Sequence, residues 1–90
     1  MKATCRSQSG VKVELDVLDL SPIGCLVRRR AWSAQPGDRI LMRLPGLGFQ
    51  PATVSWVEGE LAGIEFGQLI HEAVLERLRA TLADELKSAA

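Results

Sequence analysis

Apolar and polar side chains alternate in short runs over residues 2–66, which is the pattern of strands that bury one face and expose the other. In the clearest run, residues 11–18, four side chains are predicted to face the core: Val11, Val13, Leu15 and Val17. Clusters of glycine, proline and serine separate the runs. The pattern predicts six strands, at residues 2–6, 11–18, 25–27, 39–44, 51–57 and 61–66.

From residue 68 the apolar period lengthens to about four, which predicts an amphipathic helix over about 68–87. Its apolar stripe is Ile70, Val74, Leu78, Leu82 and Leu86, and its outer side carries Glu72, Glu76, Arg77 and Arg79. Ninety residues make one domain, 1–90. The expected fold is all-β, a six-stranded antiparallel split or Greek-key barrel over about 2–67, with the C-terminal helix covering its open end or side.

The hexapeptide 19–24 lies between the second and third predicted strands and is expected to reverse the chain. Asp19 and Ser21 are expected to accept hydrogen bonds from nearby backbone N–H groups, Pro22 fixes φ, and Gly24 permits a positive φ. Turn chemistry alone accounts for this composition. The same side chains are also candidates to face a ligand.

Composition and charge restrict the classes of function. Eleven basic and eleven acidic residues cancel, which argues against nucleic acid or an anionic membrane surface as the main partner of the whole domain. Cys5 and Cys25 are too few for a zinc motif and are expected to be buried free thiols. Since Met1-Lys2 is followed by polar sequence and no apolar run reaches membrane-spanning length, we expect a cytoplasmic protein with no membrane insertion.

The sequence has few residues in the arrangements that catalytic sites require. His71 is the only histidine, and no nucleophile motif surrounds it. The carboxylates form no spaced pair, and the glycine-containing loops lack the residues of a phosphate-binding loop. We therefore expect a binding protein rather than an enzyme, with no cofactor and no metal.

Three arginines follow the hexapeptide within one short strand. Alternation predicts that Arg28 and Arg30 share one face and that Arg29 takes the other. A carboxylate accepts hydrogen bonds from the donor edge of guanine, and arginine binds guanine or phosphate, so this arrangement suits a guanine nucleotide with several phosphates. Lys2, Arg28 and Arg30 are possible anion contacts. A solvated strand end is the alternative interpretation.

The Asp-x-Ser-x-x-Gly pattern at Asp19, Ser21 and Gly24, between a valine-rich strand and Cys25-Leu26-Val27, resembles the signature of the PilZ domain family. The resemblance extends over about residues 11–78, through Pro36-Gly37-Asp38 and its following strand to the hairpin of 52–57 and 62–66. It implies a six-stranded barrel with a C-terminal helix. It also implies binding of the bacterial second messenger cyclic di-GMP, in signalling related to motility and biofilms, and relay of that signal to an unknown protein partner.

The resemblance implies a ligand site formed by Asp19, Ser21, Gly24 and a nearby cation, Arg6. Family members that bind the messenger usually carry Arg-x-x-x-Arg just before or in the first strand. This chain has Lys2 and Arg6 at that spacing. Lysine lacks the planar fork of arginine, so the motif is incomplete.

Two other functions remain open. The first is a PilZ-like adaptor that has lost the messenger and acts by protein contact, as members associated with type IV pili are thought to do. It would use an exposed apolar patch, for which Trp32 and residues 47–49 are candidates, whereas Trp56 is expected in the core. The second is a barrel that binds single-stranded nucleic acid through residues 28–32. In each case we expect a monomer or a weak homodimer.

Overall fold

The computed structural model describes residues 1–88, which form six antiparallel strands and one helix. The elements are β1 (Lys2–Arg6), β2 (Lys12–Ser21), β3 (Gly24–Arg28), β4 (Arg39–Arg43), β5 (Gln50–Glu58), β6 (Leu61–Phe66) and α1 (Glu72–Ser88). The strands close into a barrel in the order β1-β2-β3-β6-β5-β4, so each strand is paired with a neighbour on both sides over at least part of its length. The predicted barrel and C-terminal helix are confirmed.

The second strand is longer than its hydrophobic pattern predicted. β2 continues through Asp19 and Leu20 to Ser21, and only Pro22 and Ile23 connect it to β3. The hexapeptide is therefore mostly strand, and the chain reversal takes two residues. The register shifts between Val17 and Asp19, which marks a β-bulge.

The predicted core face of β2 is correct only in part. Leu15 and Val17 are buried, but Val13 is half-buried and Val11 is 61% exposed. Val11 precedes the first residue of β2, so the pleat does not turn it inward. Beyond the bulge it is Leu20 that faces the core.

The helix covers the end of the barrel at which β2 ends, and β2 is the strand it contacts most. Leu75, Leu78 and Leu82 join the core cluster. The helix begins at Glu72, later than predicted, because Ile70 is held in the preceding turn by a hydrogen bond from its N–H to the Pro22 carbonyl, 3.2 Å. His71 caps the first turn: its Nδ1 accepts from the Ala73 N–H, 3.2 Å.

Three charged contacts link the start of the chain and β2 to each other and to more distant residues. Asp16 accepts from Lys2 and from Arg30, whose Nη2 lies 2.7 Å from Oδ2, and the Met1 amino group pairs with Glu85 of α1. The hydrogen bond from Lys2, followed by that from Arg30, lowers the pKa of Asp16 from 3.8 to about 2. The Asp16 contacts therefore tie the first residue of β1 to the segment that follows β3.

Truncating Leu78 tests the role of α1 in closing the barrel. Leu78→Ala leaves a cavity in the core cluster and is expected to lower the free energy of unfolding by about 2–4 kcal/mol. Leu86→Ala is the matched control, because Leu86 was predicted in the apolar stripe but is 51% exposed. Urea unfolding followed by circular dichroism measures both variants, and equal losses would contradict this account of the helix.

Acid titration tests the Asp16 contacts. Because the pKa of Asp16 is lower in the folded than in the unfolded chain, its contribution to stability is present above about pH 4 and is lost as the pH falls towards 2. Asp16→Asn should cost about 1 kcal/mol at pH 7, as expected of a solvent-screened pair of contacts, and clearly less at pH 2, where about half of the Asp16 carboxylates are protonated. Glu14→Gln, an exposed carboxylate in the same strand, is the control and should have little effect at either pH. A cost of Asp16→Asn that is independent of pH would contradict the assignment.

Candidate functional site

Ser21 holds the two-residue connection between β2 and β3. Its hydroxyl accepts from the N–H groups of Ile23, 3.3 Å, and Gly24, 3.2 Å, and donates to the Gly24 carbonyl, 3.2 Å. Asp19 accepts from the Leu20 N–H through Oδ1, 2.9 Å. The expected turn hydrogen bonds are therefore present. They use the Ser21 hydroxyl as both donor and acceptor, but they use only one oxygen of the Asp19 carboxylate. The second oxygen of Asp19 is available to a ligand.

Gly24 is required for a reason other than the predicted positive φ. Its backbone lies outside the left-handed region. It is paired in register with Glu65 of β6, and a Cβ at this position would collide with the backbone carbonyl oxygen of Ile64. Glycine at this position lets the β2–β3 hairpin approach β6 closely.

Four residues form one row across the outer face of the barrel. Asp19 is paired with Leu26, Leu26 with Gly63, and Gly63 with Trp56. The indole of Trp56 lies against Gly63, where a Cβ would collide with it. Asp19 and Trp56 therefore face the same side of four adjacent strands.

The prediction that Trp56 lies in the core is wrong, since the residue is 41% exposed. Strict alternation after the buried Val54 would turn residue 56 inward. A register shift between Val54 and Trp56 reverses this, so Trp56 faces outward and Val57 packs against the core. No feature of the sequence pattern marks this bulge.

The row forms the floor of an open groove of about 340 Å³. Its lining brings together three kinds of surface: the carboxylates of Asp19 and Glu65, the hydroxyl of Ser21, and the apolar surfaces of Ile23, Leu26 and Trp56. A carboxylate is an acceptor for the N1–H and N2–H donors of guanine, and an exposed indole is a stacking surface for a base. The groove has the groups needed to hold a purine.

Arg28 lies outside the lining of the groove, further along β3, whereas Lys2 and Arg30 are held by Asp16. Arg28 lies two residues beyond Leu26 along β3, about 7 Å at 3.3 Å per residue, and its nearest carboxylate is Glu60, at 3.7 Å. The alternation predicted for Arg28 to Arg30 does not extend past Arg28. β3 ends there, and Arg30 adopts a φ of +50° in the following turn.

The structure does not bring Arg6 to the groove. Arg6 ends β1 opposite Lys12, the first residue of β2, while Asp19 lies seven residues further along β2, roughly 20 Å away. The expectation that Arg6 is a cation near Asp19 is therefore not met. The antiparallel register places the start of β1, not its end, closest to the β2–β3 connection.

Arg79 of α1 lies beside the β2–β3 hairpin, although the sequence did not mark it as a candidate site residue. Its Nε and Nη2 donate to the Leu20 carbonyl at 3.2 and 3.1 Å. β1 reaches no further along β2 than Asp16 in its strand pairing, so this part of the β2 edge is open to the helix. The helical period placed Arg79 on the outer side of α1, and it gave no sign of a contact with a residue so distant in the chain.

The apolar patch predicted at Trp32 and residues 47–49 is not formed. Trp32 and Leu47 pack against the core, and Phe49 is half-buried with Arg43 4.8 Å from its ring centre. Trp32 is thus partly buried against the core and does not present an exposed ring as part of a basic and aromatic platform for nucleic acid. Exposed apolar side chains occur instead at Ile23 within the hexapeptide and at Trp56 beside it.

The two cysteines are buried free thiols, as predicted, and burial raises the pKa of each to about 12. Residues 1–88 contain no cluster of histidine, cysteine and carboxylate side chains that could hold a metal ion. Within the same range, α1 is not long and apolar enough to span a membrane.

Comparison with known proteins agrees with the resemblance in the hexapeptide. A family model for the PilZ domain matches residues 1–84, which include the whole barrel and most of α1. A search of the curated proteins found no match. PilZ domains form a family of cyclic di-GMP receptors and adaptors. Because the match covers nearly the whole chain and the strands close into the barrel of that family, this protein belongs to the PilZ domain family.

Proposed function

We propose that this protein is a cyclic di-GMP receptor that binds the messenger in the groove on the outer face of β2, β3, β6 and β5. The observation that carries the proposal is the cross-strand row in which Asp19 and Trp56 flank Leu26 and Gly63. Family membership makes this messenger class the expected ligand. The groove contains the acceptor and the stacking surface that a guanine base requires.

The dimensions of the row suit a ligand larger than one base. Three strand spacings separate the Cα atoms of Asp19 and Trp56, about 14 Å. The indole covers Gly63, which leaves the apolar side chain of Leu26 between it and the carboxylate. We place one guanine edge at the free oxygen of Asp19 and a stacked base at Trp56.

Phosphate groups require a cation, and Arg28 is the one we assign to them. The charged residues that line the groove, Asp19 and Glu65, are both acidic. Arg28 borders the row at Leu26 and is 45% exposed, and its contact with Glu60 is long and easily exchanged. Arg79 holds the edge of the hairpin through the Leu20 carbonyl and has further N–H donors on the same guanidinium.

A second function, an adaptor that acts by protein contact without the messenger, is favoured by one observation. The groove is lined by two carboxylates, which repel an anionic ligand, and the Ser21 hydroxyl already makes hydrogen bonds within the turn. In that case Ile23 and Trp56 would be part of a surface for a protein partner rather than for a nucleotide. Titration with the messenger distinguishes the two functions.

Isothermal titration calorimetry with cyclic di-GMP tests the receptor proposal. We expect saturable binding, weakened about tenfold or more by Asp19→Asn, which keeps an oxygen for the Leu20 N–H but places a donor against guanine. Trp56→Leu should weaken binding by about 1–3 kcal/mol and Trp56→Phe by less, because phenylalanine retains a stacking face. Arg28→Gln should weaken binding and reduce its salt dependence.

Arg77→Gln on the exposed side of α1 is the control and should leave affinity unchanged. Circular dichroism confirms that each variant is folded. Absence of heat with the parent protein at high micromolar messenger would overturn the receptor proposal and leave the adaptor function. Unchanged binding by Asp19→Asn and Trp56→Leu together would show that the messenger binds elsewhere.

A further inference from the structure

Four cations gather on the outer face of β1, β4 and the start of β2. This basic face consists of Arg6, Lys12, Arg39 and Arg43. Arg6 is directly opposite Lys12 on one side and opposite Leu41 on the other. Because Arg39 and Arg43 are each two residues from Leu41, Arg6 has a basic residue opposite it across β2 and one on each diagonal across β4.

The cations of the basic face form no ion pairs among the described residues. None of its four cations has a carboxylate oxygen within 4.0 Å among the described residues, whereas Lys2, Arg28 and Arg30 each have one. Glu14 is the acidic residue on this side of β2, and it is paired in register with Thr4. Like charges opposite one another destabilise a sheet, so this arrangement costs the fold some stability.

An apolar strip crosses the basic face. Leu41 is 38% exposed at its centre and is paired with the exposed Pro51 of β5. An open groove of about 640 Å³ follows this pair, with Arg6 and Arg39 in its lining. A partner that fits this groove would place an apolar side chain against Leu41 and Pro51, with carboxylates on either side of it against the cations.

We propose that the basic face docks an acidic, partly apolar segment of a partner protein. Its carboxylates would pair with Arg6, Lys12, Arg39 and Arg43, and its apolar side chains would lie on Leu41 and Pro51. Charge complementarity supports this occupant. The strands of the barrel are closed, so recognition would depend on side chains and not on strand addition to a free edge.

The same observations favour a protein segment over a nucleic acid. Phe49 on this face is half-buried, and Arg43 at 4.8 Å and Lys12 at 6.0 Å from its ring centre already lie over it, which leaves it a poor platform for a stacked base. Across the sheet, Arg39 is paired with Thr53 and Thr53 with the acidic Glu65. The positively charged surface therefore ends within two strands of Arg39. A long polyanion would meet acidic residues beyond this positively charged surface.

Selection from a phage-displayed library of random peptides tests the proposal. We expect the selected peptides to combine aspartate or glutamate with apolar residues, and a synthetic copy of one to bind the protein with an affinity that falls as salt rises. Arg6→Gln and Arg43→Gln should each weaken that binding about tenfold, the loss of one charged contact. Arg77→Gln is the matched control, because it removes the same charge from α1.

Urea unfolding distinguishes docking from a structural role of these arginines. Arg6→Gln should unfold at the same or a higher urea concentration than the parent, because it removes a cation opposite Lys12. Weaker peptide binding together with lower stability in both arginine variants would mean that the basic face supports the fold, and would overturn the proposal.

Three further results would overturn it. They are selection of peptides without acidic residues, tighter binding of a single-stranded oligothymidylate than of the peptide, and salt-sensitive self-association in sedimentation that Arg6→Gln abolishes. The last would make a second copy of the chain the occupant. The groove for the messenger contains no residue of the basic face, so failure of messenger binding leaves this test unaffected.

Discussion

Closure of the barrel leaves each strand residue only two directions, towards the core or towards solvent, and two register shifts decide which way the critical side chains point. Without the shift between Val17 and Asp19, the Asp19 carboxylate would face the core and the Leu20 side chain would face water. Without the shift between Val54 and Trp56, the indole would be buried. Each bulge leaves one residue unpaired in its ladder, and in return it brings an acceptor and an aromatic ring to one outer row.

The remaining geometry of the groove depends on small residues at close approaches. Gly24 lets the β2–β3 hairpin lie against β6, and Gly63 leaves room for the indole of Trp56. Ser21 closes the two-residue connection with its own hydroxyl. The signature hexapeptide therefore has two kinds of residue: Ser21 and Gly24 shape the hairpin, while Asp19 has an oxygen left for chemistry.

The zero net charge of the chain conceals an uneven distribution over the barrel. Asp19 and Glu65 line one outer face, while the basic face gathers on β1, β4 and the start of β2. Asp16 partly compensates the positive charge at the start of β1 and in the segment after β3 by pairing with Lys2 and Arg30. The groove and the basic face share no residue, so a molecule bound in one does not occupy the other.

Periodicity determined the fold of this protein because it is a local property. Alternation in residues 2–66 predicts the six strands, and the spacing of Val74, Leu78 and Leu82 predicts the helix, since burial of one face or one stripe selects the period. The hexapeptide likewise carried its turn chemistry within six adjacent residues, and the family resemblance depended on the order of short local motifs over about residues 11–78.

Tertiary structure decided which of these residues form a site. A bulge is a mismatch between paired strands and has no signature within either strand, so the outward direction of Trp56 could not be derived from its own segment. Strand register, a relation between distant residues, separated Arg6 from Asp19 and set it opposite Lys12. The contact of Arg79 with Leu20 likewise depends on where α1 meets the barrel. Sequence determined the elements and their chemistry, and packing determined the neighbours, because neighbours across strands are set by pairing and not by position in the chain.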